Sequence, residues 1–240
     1  MTDARVLWIT GGGSGMGAAV AAQAASDGWT VVLSGRRAER LDAVAEQVRA
    51  AGGSADVLPL DTADVEAVAT ARDTLLTRHG RLDGLVLAAG LNAPERRWDD
   101  QSMADFRAIV DTNLTGVVAT VDAALPSLRL AGGTVVVVSS YAGWSFQPGA
   151  GVAYSASKTA LASVVRTLNQ QGAEHGVRAT HLCPGDVATD FLDRRPVVPD
   201  AAARAVMLQP EDVARAVAFV LEAPAHVRVD ELVISPVAQR

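Results

Sequence analysis

The chain has 240 residues, of which 49% are hydrophobic and 20% charged, with a formal net charge of −6. A chain of that length and apolar content can bury most of the surface it would expose unfolded, which excludes disorder as its main state. Acidic residues outnumber basic ones and no basic run exceeds two adjacent arginines, which argues against nucleic acid and membrane surfaces as partners.

Val6-Leu7-Trp8-Ile9 predicts a buried strand, followed by a glycine loop and a helix from Gly15 to Ser26. Thr30 to Leu33 predicts a second strand, and Ala38 to Ala51 a helix stopped by Gly52-Gly53. Ala55 to Leu60 reads as a third strand and Ala63 to His79 as a helix closed by Gly80. Leu85-Val86-Leu87 is a fourth strand, and Ser102 to Leu128 holds one or two helices. Thr134 to Val138 is a fifth strand, Val152 to His175 a long helix and Val177 to Leu182 a sixth strand. Pro210 to Leu221 and Glu231 to Ile234 supply a last helix and a last strand.

These strands are continuous apolar runs, so both of their faces are covered. Alternation with helices throughout predicts a doubly wound α/β fold, a seven-stranded parallel sheet between helix layers. Residues 1–240 read as one Rossmann-like domain carrying every site, because no linker or repeat interrupts the pattern. Cys183 is the only cysteine, so an intrachain disulfide and a four-cysteine zinc site are excluded, and no residue is assigned to a metal. The N-terminal residues do not read as a signal peptide, and no apolar run reaches membrane-spanning length; the expectation is a cytoplasmic protein.

In such sheets ligands bind outside the carboxyl ends of the strands. After the first strand comes Thr10-Gly11-Gly12-Gly13-Ser14-Gly15-Met16-Gly17, placed where a helix N-terminus favours a phosphate. After the second comes Ser34-Gly35-Arg36-Arg37, with no carboxylate until Glu39. A guanidinium matches a 2′-phosphate in bidentate fashion, so Arg36 and Arg37 point to NADP(H) rather than NAD. Asp61-Thr62, after the third strand, is placed to meet an adenine, though Asp61 could equally cap the next helix.

Twenty of the 21 basic residues are arginines; the only lysine, Lys158, lies four residues after Tyr154, one of two tyrosines. On a helix that spacing puts both on one face, about 6 Å apart along the axis. A nearby ammonium would pull the phenol below its usual pKa of about 10 and make it a general acid/base. A compact ammonium with rotatable donors can meet a ribose and a phenol together, which a planar guanidinium does poorly. Ser140 follows the fifth strand and could polarise a carbonyl, and Asn113 lies in the helical stretch before that strand.

Over nearly its whole length the chain resembles the single-domain branch of the short-chain dehydrogenase/reductase family. The resemblance rests on Thr10 to Gly17, Asn113, Ser140, Tyr154 with Lys158, and Pro184-Gly185-Asp186-Val187-Ala188-Thr189. It implies Tyr154 as acid/base, Lys158 on the nicotinamide ribose, Ser140 on the substrate and Asn113 in a water-linked proton relay. It also implies that Pro184, Gly185 and Val187 flank the nicotinamide, that Thr189 bonds its carboxamide and that Ala89 and Gly90 approach the cofactor by their backbone. The family's usual Asn-Asn-Ala-Gly is Leu87-Ala88-Ala89-Gly90 here, so two amides are missing. The C-terminal part is similar to the NADP-dependent 3-hydroxy-acid (serine-type) dehydrogenases.

The expected function is NADP(H)-dependent hydride transfer to a small carbonyl compound or from an alcohol. A serine-type 3-hydroxy-acid dehydrogenase and a non-catalytic NADP(H)-sensing regulator are the alternatives. Leu91, Asn92, Trp98, Trp144, Phe146, Phe191 and Leu192 are candidate pocket walls, and Arg194-Arg195 could meet a carboxylate. Asp190 to Met207 reads as a lid, and Cys183 with His181 as buried structural residues. The alanine- and valine-rich faces of the helices bearing Asn113 and Tyr154 suggest a homodimer or homotetramer.

Overall fold

The four consecutive valines of the fifth strand do not share one environment. Val135 and Val137 pack into one apolar cluster, and Val136 and Val138 into another. Successive side chains of a strand point to opposite faces, so a run apolar at every position needs a helix layer on each side. That arrangement holds for the central strands of the sheet in the computed structural model, which describes residues 4–239, while the two edge strands are partly exposed.

The strands are β1 (Val6–Thr10), β2 (Thr30–Ser34), β3 (Ser54–Val57), β4 (Gly84–Leu87), β5 (Thr134–Val138), β6 (Arg178–Pro184) and β7 (Glu231–Ile234). They form a seven-stranded sheet in the order β3-β2-β1-β4-β5-β6-β7, with every pair parallel. On one face lie α1 (Gly15–Ser26), α2 (Ala38–Ala50) and the helix Pro210–Leu221. On the other lie α3 (Val65–His79), the helix Gly116–Ala131 and the helix Val152–Gly172. Chain order reverses between β1 and β4, which opens a crevice at their carboxyl ends.

Several boundaries differ from the sequence reading, each for a local reason. β3 stops at Val57 rather than Leu60, although the backbone N–H groups of Leu58 and Leu60 still bond to Leu33 O and Gly35 O. Asp64, not Asp61, caps α3 by accepting from the Ala67 N–H at 3.0 Å. Asp61 accepts from the Ala63 N–H at 3.0 Å and forms a turn ahead of the cap. β6 reaches Pro184 because its edge pairs with β7 as far as Ile234. The long helix from Val152 ends at Gly172, and a 3₁₀ turn over Ala173–His175 completes it.

The stretch expected as one or two helices from Ser102 is one continuous helix with a defect, beginning at Met103. α4 (Met103–Val110) passes into a π turn at Asp111–Thr115 and on into α5 (Gly116–Ala131). Met103–Ala131 is long and apolar enough to cross a membrane by length and composition. Its Val117, Val121, Ala124 and Leu128 are buried in the core against the sheet. The remaining helices are α6 (Tyr141–Trp144), α7 (Val152–Gly172), α8 (Ala201–Ala205) and α9 (Pro210–Leu221).

Candidate active site

The cleft at the crevice has a volume of about 630 Å³. Its floor is the glycine loop, where the backbone passes closer to itself than side chains allow. A Cβ at Gly17 would stand 2.2 Å from Gly11 O. Gly11 itself has φ +70°, and a Cβ there would meet Ala89 N at 2.6 Å. The loop therefore lies directly on the backbone after β4 while α1 begins at Gly15. The first N–H groups of a helix have no partner within it, and Ser14, Gly15, Met16 and Gly17 at this helix start line the cleft. A cradle that a single Cβ would fill fits the diphosphate of a dinucleotide.

Arg36, Arg37, Asp61 and Thr62 line one end of this cleft, and Ala89 and Gly90 its middle. Both arginines are exposed, and the Arg37 carbonyl accepts from the N–H groups of Arg40 and Leu41 at the start of α2. Pro184, Gly185, Val187 and Thr189 line the opposite wall. Thr189 reaches the glycine loop: its Cγ2 lies 3.1 Å from where a Cβ of Gly15 would be. An ion pair at 3.3 Å between Arg40 and Asp190 joins the two walls.

Tyr154, Lys158 and Ser140 share this cleft. Tyr154 and Lys158 stand one turn apart on α7, with the Lys158 Nζ 5.8 Å from the centre of the phenol ring. The Nζ is buried and donates to Val138 O at the end of β5, at 2.9 Å. Burial pulls the Lys158 ammonium down to about 8. Ser140 caps α6, its Oγ accepting from the Ala142 N–H at 3.2 Å.

The phenol departs from the expectation. The Tyr154 pKa is raised, not lowered, because its burial outweighs every favourable charge. The Ser140 hydroxyl, Arg195 and Arg96 each favour the phenolate, and Asp186 opposes it. The Lys158 ammonium is turned to the Val138 carbonyl, so the phenol stays protonated in the cleft as it stands.

Asn113 sits in the π turn, fully buried, and does not line the cleft. Its Oδ1 accepts from the Leu91 N–H at 2.7 Å, and its Nδ2 donates to Leu91 O at 2.9 Å and to Ser157 Oγ at 3.2 Å. The side chain thereby ties the segment after β4 to α7, with both ends of its amide engaged.

The substrate wall is the part the sequence misread. Asn92, Phe191 and Leu192 line the cleft, with Phe191 6.1 Å from Tyr154 between ring centres. Trp98, Trp144 and Phe146 do not. Trp98 is 85% and Phe146 81% exposed, while Trp144 turns to an edge contact with Tyr141 at 5.1 Å. The loop after α6 bends through a 3₁₀ turn at Pro148–Ala150, which presents Gln147, Gly149 and Ala150 to the cleft instead of the rings. Arg96 joins them, and the adjacent pair Arg96-Arg97 was the one available signal for it. Leu91 is absent from the wall because its backbone is clamped by Asn113.

The lid stretch is partly ordered. A 3₁₀ turn covers Asp190–Arg194, Asp200 caps α8, and a bridge between Val187 and Leu208 closes its base. Away from the cleft, the Cys183 Sγ lies 3.3 Å from His181 Nδ1, which lies 3.1 Å from a Glu231 carboxylate oxygen. Burial pushes the Cys183 thiol up to about 12.

The family described as short chain dehydrogenase matches residues 5–196. Sulfoacetaldehyde reductase 2 of Chromohalobacter salexigens is 35% identical over 98% of this chain and 95% of its own length. An alcohol dehydrogenase from the archaeon Thermococcus sibiricus, solved with 5-hydroxy-NADP, is 32% identical with a TM-score of 0.89 over 98% of each chain. A serine dehydrogenase in a closed form with NADP+ is 29% identical with a TM-score of 0.89, over 98% of this chain and 96% of its own. Matched along most of its length and built on the same parallel sheet, the chain belongs to the short chain dehydrogenase family of oxidoreductases.

Proposed function

We propose that the protein is an NADP(H)-dependent enzyme that interconverts a small carbonyl compound and its alcohol, with Tyr154 as the acid/base. The supporting observation is the convergence of Tyr154, Lys158 and Ser140 on the wall of a cleft whose floor is a glycine cradle. The cradle would hold NADP(H), which would supply or accept the hydride. Arg36 and Arg37 would hold its 2′-phosphate, and Asp61 and Thr62 its adenine. Ala89, Gly90, Pro184, Gly185, Val187 and Thr189 would flank the nicotinamide half.

In the reductive direction the protonated Tyr154 gives its proton to the carbonyl oxygen. Ser140 holds that oxygen in place, and Lys158 offsets the charge left on the phenolate. In oxidation the phenolate takes the proton back. Asn113 acts as a positioning residue that fixes the segment after β4 against α7. The whole machinery sits on one domain, working in the cytoplasm as a homodimer or homotetramer. Sedimentation velocity reads the assembly.

The likeness to a serine dehydrogenase favours a second reading, a 3-hydroxy-acid dehydrogenase. A panel of ketones, aldehydes and 3-hydroxy acids, read at the nicotinamide absorbance with NADP(H) and NAD(H), separates the two. Absence of turnover across the panel with either cofactor would overturn both.

A further inference from the structure

The substrate end of the cleft carries two guanidinium groups, Arg96 and Arg195. Arg96 comes from the irregular segment after β4. The Gly151 turn, which opens α7, packs against its backbone and sets it over the start of the helix that bears Tyr154. Its Nε donates to Ala93 O at 2.8 Å, one terminal nitrogen to Gly149 O at 3.3 Å and the other to Arg194 O at 2.7 Å. All three acceptors are neutral carbonyls, and among the described residues no carboxylate pairs with Arg96. Three of the five N–H donors are spent, which leaves one on each terminal nitrogen, a fork.

Arg195 pairs with Asp186, which also lines the cleft. The next acids along the lid are taken: Asp190 by Arg40 and Asp193 by Arg204. This end of the cleft therefore holds two guanidiniums against one carboxylate. Burial and Arg195 both push the Arg96 pKa down, and Tyr154 opposes them. An unbalanced, half-buried charge costs free energy that an anion can offset, and a plain ketone brings none.

We infer that Arg96 and Arg195 form an anion subsite, and that the carbonyl substrate carries a carboxylate or a sulfonate that binds there while its carbonyl faces Tyr154 and Ser140. The inference rests on the hydride-transfer reading of the cleft. Both guanidiniums line the same cleft as Tyr154 and Ser140, so one small substrate can meet all four.

The test compares acids with neutral counterparts in the presence of NADPH. 3-Oxobutanoate and 4-oxopentanoate are set against their methyl esters, and 2-oxopropanesulfonate against the corresponding methyl sulfone. The expected result is a kcat/KM at least tenfold higher for the acid, a preference that shrinks as salt is raised. The carboxylate and sulfonate arms tell which oxyanion the fork prefers. Arg96→Gln and Arg195→Gln should each cut the acid-to-neutral ratio about tenfold or more. Arg96 also ties three segments together, so Arg96→Lys is its companion: it breaks the same bonds, keeps the charge and should retain the preference.

A wild-type protein that prefers the neutral compounds, or a ratio that neither glutamine variant moves, overturns the subsite and leaves hydride transfer standing. Failure of every oxo compound to turn over strikes the hydride-transfer reading instead. Calorimetric titration with malonate and with methanesulfonate then decides the subsite alone. Saturable binding that Arg195→Gln removes supports it; no binding, or binding indifferent to the change, overturns it.

Discussion

Lys158 donates its ammonium to the backbone carbonyl of Val138 at 2.9 Å. This bond fastens α7 to the end of β5 and holds the charge beside the cleft, 5.8 Å from the centre of the Tyr154 ring. Gly143 and Ser139 complete the fastening. The Ser139 hydroxyl bonds to Lys158 O at 3.1 Å, and a Cβ at Gly143 would meet that same oxygen at 2.7 Å.

The first prediction follows from the Lys158 pKa of about 8. Below that pH the group is an ammonium; as pH rises through it, the charge is lost. The affinity for NADPH should therefore weaken above about pH 8 in the wild type. Lys158→Arg stays charged throughout, so its profile should be flat there even though turnover falls. Titrations followed by nicotinamide fluorescence check this, and identical profiles would count against a cofactor contact at Lys158.

The raised Tyr154 pKa fixes a second sign. A phenol protonated across the neutral range is already in the form that carbonyl reduction needs. Alcohol oxidation needs the phenolate and should climb with pH over the same range. Tyr154→Phe should lower kcat about a hundred- to ten-thousandfold while NADPH still binds. Initial rates in both directions, with a binding titration, test the assignment.

Cofactor choice supplies the third prediction. Charge-assisted hydrogen bonds are worth about 1.5–3 kcal/mol, so replacing both Arg36 and Arg37 by Ala should raise the NADPH Kd roughly ten- to a hundredfold. Binding of NADH, which lacks the 2′-phosphate, should barely move. Equal losses for the two cofactors would place the arginines elsewhere.

The fourth concerns stability. Ser34 is fully buried; its Oγ accepts from Trp8 Nε1 at 2.9 Å and donates to Leu58 O at 2.7 Å. Ser34→Ala strands a buried indole N–H and a carbonyl, at a cost of about 1–3 kcal/mol. Urea denaturation should show a lower midpoint with the slope unchanged.

What the sequence by itself determined is whatever depends on neighbours along the chain. The uninterrupted apolar runs, with helical stretches between them, specified a parallel sheet because only a doubly covered strand can be apolar at every position. The glycines of the first loop and the four-residue interval from Tyr154 to Lys158 were legible for the same reason: backbone approach and helix periodicity are local. Which aromatic rings face the cleft was not local. Trp144 and Phe146 looked suited to a pocket wall, but the bend at Pro148–Ala150 turns the backbone inward and leaves those rings outside. The protonation of Tyr154 was also decided by the tertiary structure, since burial outweighs the Ser140, Arg195 and Arg96 contributions that favour the phenolate, while the Lys158 ammonium is engaged by the Val138 carbonyl. Arg96 gained its place in the same way. Its three partners lie on separate segments of the chain, and only folding brings them around a guanidinium whose charge they leave unmatched.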